Sequence, residues 1–199
     1  MNKNPFCYRL FKIILGPIFK LYYNPKVIGK ENIPVDGPIL LVGNHIHIMD
    51  QCAPILSTKR VVNYMAKKEY FDNKKVAWFF KAAGCISVDR SKRDDAAVSS
   101  ALEVLKNGGA VGLFPEGTRN KTDLFLQPFK FGAVSMAKKT GAYLVPFGIT
   151  GTYKFRSKDL TIRFGKTFKV EGELDKANEK LFKTVEKLMK QNLKETKKK

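Results

Sequence analysis

Ile39-Leu40-Leu41-Val42-Gly43 runs without a break into Asn44-His45-Ile46-His47-Ile48-Met49-Asp50. A short apolar run of this kind reads as a strand buried on both faces, and the polar string after it marks the strand's carboxyl end. The same pattern returns twice: Cys85–Asp89 leads into Arg90, and Ala110–Phe114 leads into Pro115-Glu116-Gly117-Thr118-Arg119. Further strand candidates are Val61–Ala66, Tyr143–Phe147 and Leu160–Val170, the last polar at alternate positions and so expected at a sheet edge. Helical patterns alternate with them at Gln51–Ser57, Lys74–Ala83, Asp94–Lys106 and Lys130–Thr140. Asp94 and Asp95 open the third of these and Asn107-Gly108-Gly109 closes it, as helix ends favour. The order predicts one α/β domain: a mixed central sheet flanked by helices, with its polar strand ends gathered at one crevice.

The 199 residues suit a single compact unit, and 44% hydrophobic content excludes a disordered or collagen-like chain. Charge is the unusual property. Lys and Arg number 37 against 18 Asp and Glu, a net +19 that expects an anionic partner such as nucleic acid, a bilayer or an acidic carrier protein. Cys7, Cys52 and Cys85 are odd in number and form no CxxC pair, which suits free thiols in a reducing compartment. No small-residue cleavage pattern follows the basic, apolar N-terminus, so no cleavable signal peptide is expected.

Residues 1–24 read as a unit distinct from 25–199. On a helix, Arg9, Lys12, Gly16 and Lys20 fall in one narrow sector of Pro5–Tyr23, while Phe6, Leu10, Phe11, Ile14, Ile18 and Leu21 lie on the broad apolar remainder. Asn4 is the expected cap, Asn24-Pro25 the stop, and Gly16-Pro17 the place of a kink or a division into two helices. Three charges and that proline argue against a transmembrane span. A segment lying in the interface of an anionic membrane is expected, with those six apolar side chains in contact with lipid. The competing expectation is a helix that covers the domain's own core. The stretch from Leu174 to Lys199 places Leu181, Val185, Leu188 and Leu193 near helical spacing against a lysine-rich face, and suits a membrane-facing or a solvated helix equally.

His45 and Asp50 are five residues apart, about 140° on a helix and on opposite faces of a strand, so only a turn between strand and helix brings them together. In that event Asp50 fixes one ring nitrogen and the other takes a proton from a substrate. The spacing alone fits a capping Asp beside a structural His as well. With two histidines in the chain, His45 and His47 make a poor metal site, and none is expected. Pro115 to Arg119 forms a tight turn. Arg119 offers a fork matched to phosphate, and Gly117 allows close approach of backbone to a ligand. Glu116 paired with Arg119 in a simple salt-bridged turn is the alternative.

Four ordered blocks carry a family resemblance: Asn44-His45 to Asp50 (NHxxxxD), Gly84 to Arg90, Phe114 to Arg119 (FPEGTR), and Val145-Pro146-Phe147. Together they resemble the 1-acyl-sn-glycerol-3-phosphate acyltransferases of the glycerolipid acyltransferase superfamily. The resemblance implies acyl transfer from an acyl carrier protein or coenzyme A thioester to the sn-2 hydroxyl of lysophosphatidic acid, giving phosphatidic acid. It implies no metal or cofactor beyond that thioester, no acyl-enzyme, and work at the cytoplasmic face of the cell membrane. His45 is then the base and Asp50 its orienting partner. Glu116, Gly117, Thr118 and Arg119 hold the acceptor, Arg90 is a second cation, and Lys130 stabilises the oxyanion. Cys85, Ser87 and His47 depart slightly from the family pattern. Glycerol 3-phosphate or another lysophospholipid is the competing acceptor. A non-catalytic lipid- or nucleic-acid-binding module is the reading of different class. Nucleic acid is not expected, because no recognition element or basic aromatic platform is present.

Overall fold

The computed structural model describes residues 5–196. Seven strands form one sheet: β1 (Lys26–Ile28), β2 (Ile39–Gly43), β3 (Val62–Lys67), β4 (Ile86–Val88), β5 (Ala110–Leu113), β6 (Tyr143–Thr150) and β7 (Thr161–Phe164). Their order is β1-β7-β6-β2-β5-β3-β4, parallel throughout except where β7 runs against β6. β2 sits between β6 and β5 with all five residues buried, which is why its sequence is continuously apolar rather than alternating. Its parallel neighbours β5 and β6, and β3 beyond β5, all end on the same side as His45, so the fold itself gathers the polar strand ends.

Helices α1 (Phe6–Tyr23), α2 (Cys52–Ser57), α3 (Glu69–Asp72), α4 (Ala77–Ala82), α5 (Asp95–Lys106), α6 (Gly132–Thr140) and α7 (Leu174–Thr196) complete the domain. α5, α6 and α7 cover the face that carries Leu40, Val42, Val111 and Leu144. Phe19 of α1 and Ala53 of α2 pack on the other face with Ile39, Leu41, Val62 and Phe147. Asp94 caps α5, accepting from the Ala97 amide at 2.9 Å.

α1 is one helix across Gly16-Pro17, not two. Gly16 is buried where an added Cβ would stand 2.6 Å from Leu56 Cδ2, so glycine there lets α1 close on α2. Asn24 ends the helix in the left-handed conformation, its amide donating to the Lys20 carbonyl at 2.9 Å. Asn4, the expected cap, and the terminal lysines 197–199 lie outside the described residues.

The final strand is shorter than Leu160–Val170 and is not at the edge; the three-residue β1 takes that place. The polar alternation that suggested an edge comes from Arg163, which α7 covers. Its Nε donates to Asn192 Oδ1 at 2.9 Å and its guanidinium pairs with Glu195. α7 buries Leu181, Val185, Leu188 and Met189 on the sheet face opposite α1, its lysines outward and paired in part with Glu179 and Glu186.

Candidate active site

Asn44 pins the end of β2 to β6: its Nδ2 donates to the Ile149 carbonyl at 2.9 Å, and its Oδ1 accepts from the Ile149 amide at 2.7 Å. The next residue therefore leaves the sheet at a fixed point. From His45 the chain wraps around the Asp50 carboxylate. Asp50 Oδ2 accepts from His45 Nδ1 at 2.7 Å, from the Ile46 amide at 2.6 Å and from the His47 amide at 2.7 Å. The odd spacing that regular structure could not reconcile is thus a loop closed over one oxygen. Asp50 Oδ1 accepts from Tyr153 Oη at 2.7 Å. Four donors offset the desolvation of a carboxylate that is fully buried. Burial first, then the Asp50 charge, pushes the Tyr153 phenol far up, so it stays a donor.

The His45 ring stacks on Phe114, with centroids 4.1 Å apart and 8° between planes. The Asp50 bond at one nitrogen and the ring stack leave its Nε2 edge for a substrate. Beside it lies a cavity of about 730 Å³ walled by α1, α2, α4 and the strand ends. Lys12, Lys67, Arg90, Arg119 and Lys121 line it, and no Asp or Glu does. Burial, together with the nearby Arg119 charge, draws the Arg90 guanidinium down, although Tyr70 and Glu69 oppose this. Two guanidiniums lining one cavity suit an anion there.

A profile of the acyltransferase family matches residues 24–150. The 1-acyl-sn-glycerol-3-phosphate acyltransferase of Bacillus subtilis is 35% identical over 149 residues, which cover 73% of this chain and 70% of that protein. The chain belongs to the 1-acyl-sn-glycerol-3-phosphate acyltransferase family. The family member of Borreliella burgdorferi is 33% identical over 70% of this chain and 56% of its own length. In fold, the chain matches the crystal structure of the 1-acyl-sn-glycerophosphate acyltransferase PlsC from Thermotoga maritima. The TM-score is 0.77 at 24% identity, over 92% of this chain and 78% of that one.

Against the family's FPEGTR block, the structure separates two roles. Thr118 and Arg119 line the cavity with Arg90. Glu116 does not line it; it is buried, accepting from the His45 amide at 2.6 Å and the Gln127 amide at 3.0 Å. Burial pushes its carboxyl up, and the His45 and Gln127 amides pull it partly back. It ties the His45 loop to the turn and does not pair with Arg119. Gly117 has φ +78°, the left-handed region that glycine tolerates, and its amide donates to the Phe114 carbonyl at 3.0 Å. A Cβ there would stand 2.9 Å from Lys130 Nζ, so the exposed Lys130 lies along this turn, outside the cavity wall.

Of the residues expected to meet lipid, Phe6, Leu10, Ile14, Ile18 and Leu21 are exposed, while Phe11 is half-buried against Trp78 and Phe79. Lys12 and Gly16, expected on the basic stripe, turn toward the domain, where Lys12 Nζ donates to the Thr58 carbonyl. No helix among the described residues is long and apolar enough to cross a membrane. Tyr153, three residues beyond β6, is not among the expected site residues, because the strand was expected to stop at Phe147. A polar Gly151-Thr152-Tyr153 following an eight-residue parallel strand was the available signal.

Proposed function

We propose that this chain transfers a fatty acyl group from a thioester to the sn-2 hydroxyl of lysophosphatidic acid, giving phosphatidic acid, with His45 as general base. The observation that carries this reading is the His45–Asp50 contact of 2.7 Å beside a cavity whose charged lining is wholly cationic. His45 Nε2 takes the hydroxyl proton as the oxygen attacks the thioester carbonyl. The tetrahedral intermediate collapses, the carbon–sulfur bond breaks, and the departing thiolate takes the proton from the imidazolium. Asp50 supports that transient cation. Arg119 and Arg90, both on the cavity wall, hold the phosphomonoester; the resemblance's further role for Lys130 as oxyanion partner has no support in its place outside that wall.

Direct attack suits the thiols too. Burial, followed for Cys52 by the Asp50 charge, pushes Cys52 and Cys85 up to about 12, so neither supplies a thiolate to carry the acyl group. Unpaired cysteines also suit the cytoplasmic side of the membrane, where thioesters on coenzyme A or acyl carrier protein are at hand. The deciding experiment offers purified protein lysophosphatidic acid, glycerol 3-phosphate and larger-headgroup lysophospholipids with each donor type, beside His45→Ala. Lysophosphatidic acid should turn over fastest, and the variant should lose roughly 10²–10⁴ in rate while keeping its Tm. Turnover of glycerol 3-phosphate alone, or an active variant, sinks the reading.

A further inference from the structure

Two aromatic side chains from separate parts of the chain stand exposed against α1. Trp78, the single tryptophan, is 62% exposed and meets Phe11 edge-on at 6.1 Å. Phe155 is 65% exposed and meets Tyr22 at 5.2 Å. Phe11 and Tyr22 lie eleven positions apart, about 20° in angle and about 16 Å along the helix axis. The two aromatics therefore bracket one flank of α1. Between them, Phe11, Leu15, Ile18 and Tyr22 form the stripe of α1 that walls the cavity beside His45.

Each aromatic has exposed cations close to it in sequence: Lys74, Lys75 and Lys81 near Trp78, and Lys154, Arg156 and Lys158 near Phe155. Aromatic rings flanked by lysine and arginine match the level where acyl chains give way to anionic headgroups. A second copy of this chain would bring the same cations face to face on a molecule of net charge +19, so the charge favours a lipid surface. A lone amphipathic helix is free to roll about its axis at an interface. Two further contacts on one flank remove that freedom.

We propose that Trp78 and Phe155 are bilayer contacts which, with the outer face of α1, seat the protein on an anionic membrane and turn its cavity mouth toward the lipid. Contact through α1 alone would leave Trp78 in water, and that difference is measurable because Trp78 is the only indole. Full-length protein is titrated with vesicles of phosphatidylglycerol, with vesicles of phosphatidylcholine, and with phosphatidylglycerol brominated on its acyl chains. Tryptophan emission should move to shorter wavelength on phosphatidylglycerol and be quenched by the brominated lipid. Phe155→Ser should weaken partition into phosphatidylglycerol vesicles by about fivefold to thirtyfold, the share of a buried phenylalanine that its exposure represents. Unmoved emission while the protein cosediments with vesicles overturns the proposal. Equal shifts on both lipids overturn the role of the cations, and a shift on raising protein concentration without lipid assigns the face to self-association instead. No substrate enters the measurement, so its failure leaves the acyl-transfer reading standing.

Discussion

Asp50→Asn isolates the charge of Asp50 from its shape. The asparagine amide has one oxygen, and the surrounding donors decide where it goes. At the Oδ2 position three donors converge, from His45, Ile46 and His47, whereas the Oδ1 position faces only the Tyr153 hydroxyl, which can turn to accept. The oxygen therefore stays toward His45, the ring keeps its tautomer, and the fold loses little. What disappears is the anion beside the imidazolium. Opposite charges about 4 Å apart at an effective dielectric near 20 attract by about 4 kcal/mol, so kcat should fall by roughly 10³-fold. Both KM values should hold. Asp50→Ala should lose as much rate, and it also strands the buried amides and the Tyr153 hydroxyl. Its stability should drop by about 3–5 kcal/mol, lowering Tm by roughly 10 °C. Initial rates of thiol release and calorimetry on both variants give the comparison. A fall in kcat below tenfold for Asp50→Asn, or equal destabilisation by Asn and Ala, refutes the reasoning.

Tyr153→Phe keeps the ring stacked on His47 at 4.2 Å but removes the donor to Asp50 Oδ1, and should cost about 1–3 kcal/mol in calorimetry with a smaller loss of kcat than Asp50→Asn; unchanged Tm counts against that bond. Arg119→Ala should raise KM for the phosphorylated acceptor and leave KM for the thioester unchanged, as read from steady-state kinetics; an unaltered acceptor dependence removes Arg119 from the phosphate site. Glu116 has its carboxyl raised in the fold chiefly by burial, so its contribution is greatest below the ordinary glutamate range and is lost as pH rises through the raised value. The Tm advantage of wild type over Glu116→Gln should therefore narrow as pH rises across that window, and a parallel pair of Tm curves contradicts it.

β2 was legible to the residue, because a strand buried on both faces leaves no polar position to confuse its limits. β7 was overextended because burial under α7 is a tertiary fact: local pattern cannot show that Asn192 and Glu195 wait for Arg163. β1 and α3 are too short for periodicity to register. In the site, His45 and Asp50 could be named from their motif, but what joins them is a pair of backbone amides that no side-chain pattern encodes. For Glu116 a structural role was legible only with the wrong partner: a carboxylate three residues before an arginine reads like half of an ion pair until its burial and its bonds to the His45 and Gln127 amides are known. The inward turn of Lys12 and Gly16 was hidden for the same reason; an amphipathic wheel gives sectors but not which sector meets the protein.

α1 serves two environments with one backbone. Its inner stripe is cavity wall and its outer stripe is exposed. Trimming the helix to obtain an easily handled protein would therefore open the cavity beside His45 as well as remove the exposed apolar stripe. Evolution and engineering face a separable choice at each position: Leu10, Ile14 and Leu21 are open to change with the surroundings, while Leu15 and Tyr22 answer to whatever occupies the cavity.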